Sequence, residues 1–131
     1  TYDFVNNLTK YKDHKIIVYP DASGGANKTN ATATDIEIIK NAGFHVDAPK
    51  ANPFVRDRVN ATNTALCNSK GERTYKVNTY NCPKLTEALE RQTYKGDEPD
   101  KTTGFDHITE AIGYFITGAA RQPTISGAFT A

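Results

Sequence analysis

The stretch KIIVYPDASGGANKTNATATDIEIIKNAGFHVDA, Lys15 to Ala48, decides the fold. Ile16, Ile17 and Val18 form a short apolar run without polar alternation. That pattern suits a strand buried on both faces. Pro20 and Asp21 end the run, and Ser23-Gly24-Gly25 lets the backbone turn sharply. Thr34 and Asp35 open a helix through Ile36, Ile38 and Ile39, which Gly43 closes as a C-cap. Phe44–Ala48 then reads as a second strand. Strand, helix, strand is a βαβ unit, so the two strands should be parallel neighbours. The expected fold class is therefore α/β.

Working outward, Phe4, Val5, Leu8 and Tyr11 fall at helical spacing, which predicts a short amphipathic helix over Tyr2–Tyr11. Downstream, Val55–Leu66 reads as a helix with Val55, Val59 and Leu66 inward. Asn68–Gly71 reads as a turn, and Thr74–Asn78 as a strand, half of a hairpin with the residues around Leu66–Asn68. A further helix starts near Cys82-Pro83, where proline is tolerated in the first turn, and ends near Tyr94. GDEPDKTTG, residues 96–104, reads as a polar loop. The last helix runs from Asp106 to about Thr117, with Ile108, Ile112, Phe115 and Ile116 as its apolar stripe. The tail from Gly118 is small and polar.

The bulk numbers suit one domain with one core: 131 residues, 37% hydrophobic and 24% charged. Sixteen Lys and Arg against fifteen Asp and Glu leave a net charge of +1, so no global field announces a nucleic-acid or membrane partner. No apolar run approaches the roughly 20 residues of a membrane span, and the N-terminus has no signal-peptide pattern. The chain has no Met, even at position 1, and so reads as a piece of something longer. Cys67 and Cys82 match no zinc pattern and read as free thiols. Sequons at Asn7, Asn27, Asn30 and Asn60 keep open a secreted, glycosylated protein with one disulfide, although a chain this rich in Asn and Thr yields sequons by chance.

The residues with chemistry to offer are few. Asp106 and Glu110 lie four apart on one helical face, with His107 and Tyr114 beside it. Asp106 can instead serve as the N-cap, and Glu110 as a solvated charge. Asp21 stands at the carboxyl end of a parallel strand, where open α/β sheets gather ligands. It can equally form an Asx-turn. If the three carboxylates converge, they make the hard oxygen set suited to Mg²⁺ or Mn²⁺. Paired divalent ions are a standard device for cutting phosphodiesters. Arg56, Arg58, Lys70, Arg73 and Lys76 cluster around the third helix and the turn after it. They could touch phosphates or simply be solvated. Lys28 and Lys101 flank the acidic residues.

VYPDASG at 18–24, TDIEIIKNAGFHV at 34–46, NPFVRDRVNATNTAL at 52–66 and FDHITEAIGYF at 105–115, in that order, resemble the C-terminal nuclease domain of the large terminase subunit of tailed bacteriophages. The last stretch is similar to that family's Asp-His-x-x-Asp-Ala motif, with Glu110 in place of the second Asp. The resemblance implies a ribonuclease-H-like mixed sheet flanked by helices, two catalytic divalent metals, and cutting of concatemeric double-stranded DNA in the host bacterial cytoplasm. Asp21, Asp106, His107 and Glu110 would be catalytic, and Asp21, Asp106 and Glu110 the metal ligands. The partners implied are the ATPase motor domain, the portal and the small terminase subunit, with no membrane.

On that resemblance the chain is truncated on its N-terminal side. Three strands and one metal-ligating Asp would lie upstream, so this piece alone should be weak or inactive. Residues 1–117 would be the partial nuclease domain and 118–131 a loosely ordered tail. The strand at Lys15–Tyr19 would lose its neighbour, and a second copy of the chain could pair there as a homodimer. The alternative is a non-catalytic α/β binding module, or the inactive remnant of a prophage nuclease.

Overall fold

The computed structural model describes residues 1–25 and 34–121. Lys28 and residues 122–131 of the tail lie outside them. The chain is mixed α/β and divides into two compact units, Thr1–Phe54 and Val55–Ala131.

The first unit holds α1 (Tyr2–Leu8), β1 (Ile17–Val18), α2 (Asp35–Asn41) and β2 (His45–Val46), with 3-10 turns at Thr9–Tyr11 and Ala22–Gly25. β1 and β2 pair in parallel, Ile17 opposite His45 and Val18 opposite Val46, as a βαβ unit requires. His45 N–H donates to the Ile16 carbonyl at 3.2 Å and Asp47 N–H to Val18 at 2.9 Å. A reciprocal capping box starts α2. The Glu37 amide donates to Thr34 Oγ1 at 3.2 Å, and the Thr34 amide donates to the Glu37 carboxylate at 2.7 Å. The Thr34 amide, then the Thr34 hydroxyl, hold Glu37 below the usual carboxylate range. Gly43 ends the helix at φ +91°, a left-handed conformation that favours glycine. Ile39 is the buried apolar residue beneath α2.

The second unit holds α3 (Val55–Leu66), α4 (Pro83–Arg91), a hairpin of β3 (Tyr94–Lys95) and β4 (Glu98–Pro99), and α5 (Asp106–Ala119). α5 packs on α3 and α4, and Leu85 and Ala88 are buried on α4. Two expectations need correction here. Thr74–Asn78 is not a strand: Thr74 and Tyr75 both donate to the Ala65 carbonyl, at 3.0 and 2.9 Å, strapping the chain to the end of α3. Residues 96–104 are not all loop, because Gly96-Asp97 closes a two-residue hairpin with Gly96 at φ +68°. Among the described residues, the strands form two two-stranded sheets, one parallel in the first unit and one antiparallel in the second.

The buried residues of α3 and α5 also differ from the apolar pattern. On α3 the buried residues are Arg58 and Thr62, while Val55, Val59 and Leu66 are only half-buried. On α5 the buried residues are Asp106, Gly113 and Gly118, and Phe115 is exposed. On α3, Arg58 and Thr62 share the face of Val55, Val59 and Leu66, whereas on α5 counting apolar positions misses the buried face, which is built from charge and small residues. Among the described residues, no helix is long and apolar enough to cross a membrane, and Cys67 and Cys82 are both free.

Candidate functional site

Buried polar groups outnumber buried apolar ones among the described residues: Thr34, Arg58, Thr62 and Asp106 against Ile39, Leu85 and Ala88. Charged groups seldom enter a protein interior unless they are paired. Arg58 and Asp106, both in the second unit, therefore mark where chemistry is concentrated.

Arg58 is 4% exposed. Its Nη2 lies 3.2 Å from Glu110 Oε1, and its Nη1 donates to the Tyr114 hydroxyl at 3.1 Å. The guanidinium also sits 4.8 Å from the centre of the Tyr114 ring. Gly113 makes this possible. A Cβ there would lie 2.5 Å from Arg58 Cγ and 2.7 Å from Cδ, so the methylene stem runs where a side chain would be. Gly113, Tyr114 and Glu110 share one side of α5 through their three- and four-residue spacings. One turn along α3, Thr62 Oγ1 donates to the Arg58 carbonyl at 2.9 Å. The expectation that Arg58 lies with the surface bases is thus corrected. Its side chain is internal and engaged with α5. Glu110, expected as a metal ligand, is the partner of that guanidinium.

Asp106 is one turn before Glu110 on the same face. It is 3% exposed, and its Oδ1 has no hydrogen-bond partner. Its Oδ2 is 4.0 Å from Nδ1 of His107, whose side chain is exposed. Asp106 is not the N-cap: Phe105 holds that position, and no side chain caps the helix. A buried carboxylate oxygen without a donor is the kind of group that a cation completes, so Asp106 fits the hard-ligand role. Within either unit, among the described residues, no three His, Cys, Asp or Glu side chains are grouped to hold a metal ion.

Beside the Arg58–Glu110 pair is a cleft of about 250 Å³ whose lining includes Leu89, Gln92, Tyr94 and Thr109. The Gln92 side-chain amide donates to the Asp100 carbonyl at 3.0 Å, and its oxygen accepts from the Thr109 hydroxyl at 3.3 Å, tying α5 to the hairpin. Asp100 is held below the usual carboxylate range by the amide, then the hydroxyl, of Thr102.

Asp21 belongs to the first unit and takes the Asx-turn, its Oδ1 accepting from the Ser23 amide at 2.8 Å. The same oxygen accepts from Asn52 Nδ2 at 2.6 Å, and Asn52 Oδ1 accepts from the Ala22 amide at 2.8 Å. Asn52 therefore clasps both Asp21 and the turn that carries it. Arg56, Lys70, Arg73, Lys76 and Lys101 are exposed. Arg73 and Lys76 line one shallow hollow together with Tyr75 and Glu90.

Asn52 and Gly113 escaped the sequence reading as site-forming residues, and Arg58 entered it only as a base for phosphate or solvent. The available signal was a glycine inside a helix that is otherwise unbroken, which marks close approach of a neighbour. No family model matches this chain, and neither a curated protein nor a solved structure matches it.

Proposed function

We propose that the chain is part of a metal-dependent DNA endonuclease, the ribonuclease-H-like nuclease domain of a phage or prophage terminase large subunit. The single observation that carries the proposal is Asp106: a carboxylate 3% exposed, with one oxygen unpartnered, at the first position of the Asp-His-x-x-Glu helix. The parallel β1–α2–β2 unit supports it by placing Asp21 just beyond the carboxyl end of β1. Asp21, Asp106 and Glu110 are the oxygen donors the resemblance assigns, and His107 stands exposed beside Asp106. Bound Mg²⁺ or Mn²⁺ would supply an activated water and stabilise charge on the phosphate during in-line displacement. Asn52 keeps the Asp21 carboxylate in one orientation, and the burial of Asp106 shields it from competing water. Exposed Arg56, Lys70, Arg73, Lys76 and Lys101 are available for the DNA backbone. The ATPase motor, portal and small subunit would be partners of the whole protein in the bacterial cytoplasm.

A second reading, a non-catalytic binding module, draws on one specific observation: Glu110 is already matched to Arg58. Supercoiled plasmid separates the two. The longer protein carrying the upstream strands should nick or linearise it with Mg²⁺ or Mn²⁺ and stop with EDTA. Asp21→Asn and Asp106→Asn should each abolish cutting. Cleavage that survives EDTA, or full activity in either variant, would refute the nuclease assignment.

A further inference from the structure

We propose that Arg58 positions the acidic face of α5 by acting through Glu110, so that Glu110 serves Arg58 as its counter-ion while Asp106 is the carboxylate this helix offers to a cation. The proposal rests on the nuclease reading and narrows it, because the resemblance alone assigns Glu110 to the metal.

The geometry separates the two carboxylates. Glu110 faces a guanidinium at 3.2 Å whose own side chain is 5% exposed. A buried guanidinium stripped of its carboxylate is left uncompensated in a poorly solvated place, so Glu110 Oε1 stays with Arg58 and only Oε2 is left for another cation. Asp106 has no such claim on it: Oδ1 has no donor, and Oδ2 has only a marginal contact with exposed His107.

Something must also hold the start of α5, since no side chain caps it. Beyond the Arg91 guanidinium, 5.3 Å from the centre of the Phe105 ring, two hydrogen-bonded restraints act on its first turns. One is the Thr109 hydroxyl at Gln92, and the other is the fork of Arg58 on Glu110 and Tyr114. The second enters through the slot at Gly113, where the Arg58 stem lies too close for any Cβ. Arg rather than Lys suits this task. Its planar fork reaches two acceptors at once and stacks on the Tyr114 ring. Arg58 is thus a positioning residue, and Asp106, one turn away, is what it positions.

The test uses the chain itself, with Mn²⁺ binding followed by the loss of the free-ion electron paramagnetic resonance signal, alongside thermal unfolding. Asp106→Asn should abolish Mn²⁺ binding. Glu110→Gln keeps an acceptor for Arg58 but is a poor metal ligand, and should bind Mn²⁺ within about twofold of the parent. Arg58→Met should weaken Mn²⁺ by about tenfold, as loss of a supporting group commonly does. The double variant Arg58→Met/Glu110→Leu removes the pair as a unit, and should recover melting temperature relative to Arg58→Met while Mn²⁺ binding stays weak, because nothing then holds the acidic face. Loss of Mn²⁺ binding in Glu110→Gln to the extent seen in Asp106→Asn would overturn the proposal. So would melting-temperature changes for Arg58→Met and Glu110→Leu that simply add in the double variant. If the parent binds no Mn²⁺, the cation role of Asp106 in this chain fails, the nuclease reading is left to the plasmid assay, and the melting-temperature cycle alone then decides whether Arg58 works through Glu110.

Discussion

Replacing Gly113 by alanine reverses a familiar expectation. In an exposed helix interior, Gly→Ala stabilises by about 1 kcal/mol, because alanine restricts the unfolded chain and favours the helix. At Gly113 the new methyl would lie 2.5 Å from Arg58 Cγ and 2.7 Å from Cδ. Carbon atoms in good contact are about 3.5–4.0 Å apart, so the overlap is roughly 1 Å at two successive carbons. These atoms are the middle of a buried side chain, not its free end, and they cannot yield without dragging the guanidinium off Glu110 and Tyr114. Overpacking of this kind costs about 1–3 kcal/mol. Part of the buried pair is lost as well, discounted because Glu110 retains 24% side-chain exposure. After the helical gain, a net loss of about 2 kcal/mol remains, a fall in melting temperature on the order of 10 °C. Circular dichroism during thermal and urea unfolding measures it. The same substitution made in an Arg58→Ala background should change sign and stabilise by about 1 kcal/mol, because the obstacle is gone. A parent chain made more stable by Gly113→Ala would refute the slot and the account of α5 built on it.

Other expected outcomes follow from the same structure. Glu37 and Asp100 titrate below their ordinary values of 4.5 and 3.8, so both bind protons more weakly folded than unfolded. Their stabilisation is whole above those values and is lost as pH falls through the lowered ones. A Glu37→Gln/Asp100→Asn variant should accordingly lose less of its urea midpoint than the parent between neutral pH and the acid limb, and an identical loss would refute this. Arg73→Ala/Lys76→Ala should weaken double-stranded DNA binding and flatten its dependence on salt, by a slope of about 0.9 for each phosphate contact removed. Fluorescence anisotropy across a salt series reads this directly, and an unchanged slope would clear both residues of phosphate contact. Light scattering coupled to gel filtration should find a two-fold dimer, with β1 as the pairing edge. A clean monomer at high concentration would argue against that edge.

The first unit was legible in the sequence because local rules govern it. Thr34 and Glu37 have capping-box spacing, Gly43 is the glycine a helix end requires, and Ile16–Val18 is an apolar run that forms the strand, although Ile17 and Val18 are half-buried and not enclosed on both faces. These signals lie within a few residues of what they determine. The seam of the second unit is different. Arg58 carries a charge and Gly113 carries nothing, so neither registers in an apolar periodicity, and they meet only because two helices far apart in sequence cross there. Asp106 was singled out, but its burial was not foreseen, since aspartate at a helix start ordinarily caps in solvent. The hairpin was missed because Gly96-Asp97 stands among other polar turn residues, and its strands are only two residues long. Conversely, Thr74–Asn78 has strand-like residues, yet the amides of Thr74 and Tyr75 both go to the end of α3.

The slot at Gly113 also bears on how such a chain can change by descent. An arginine at 58 is tolerable only where 113 has no side chain and 110 supplies a carboxylate. A lineage that acquires any larger residue at 113 must already have shed the arginine, and one that loses the arginine leaves the glutamate and the glycine free to drift. These three sites, remote from one another in the chain, should therefore be inherited as a block. Among descendants the combinations with arginine at 58 and alanine at 113 should be missing, while those with an apolar residue at 58 should accept many residues at the other two.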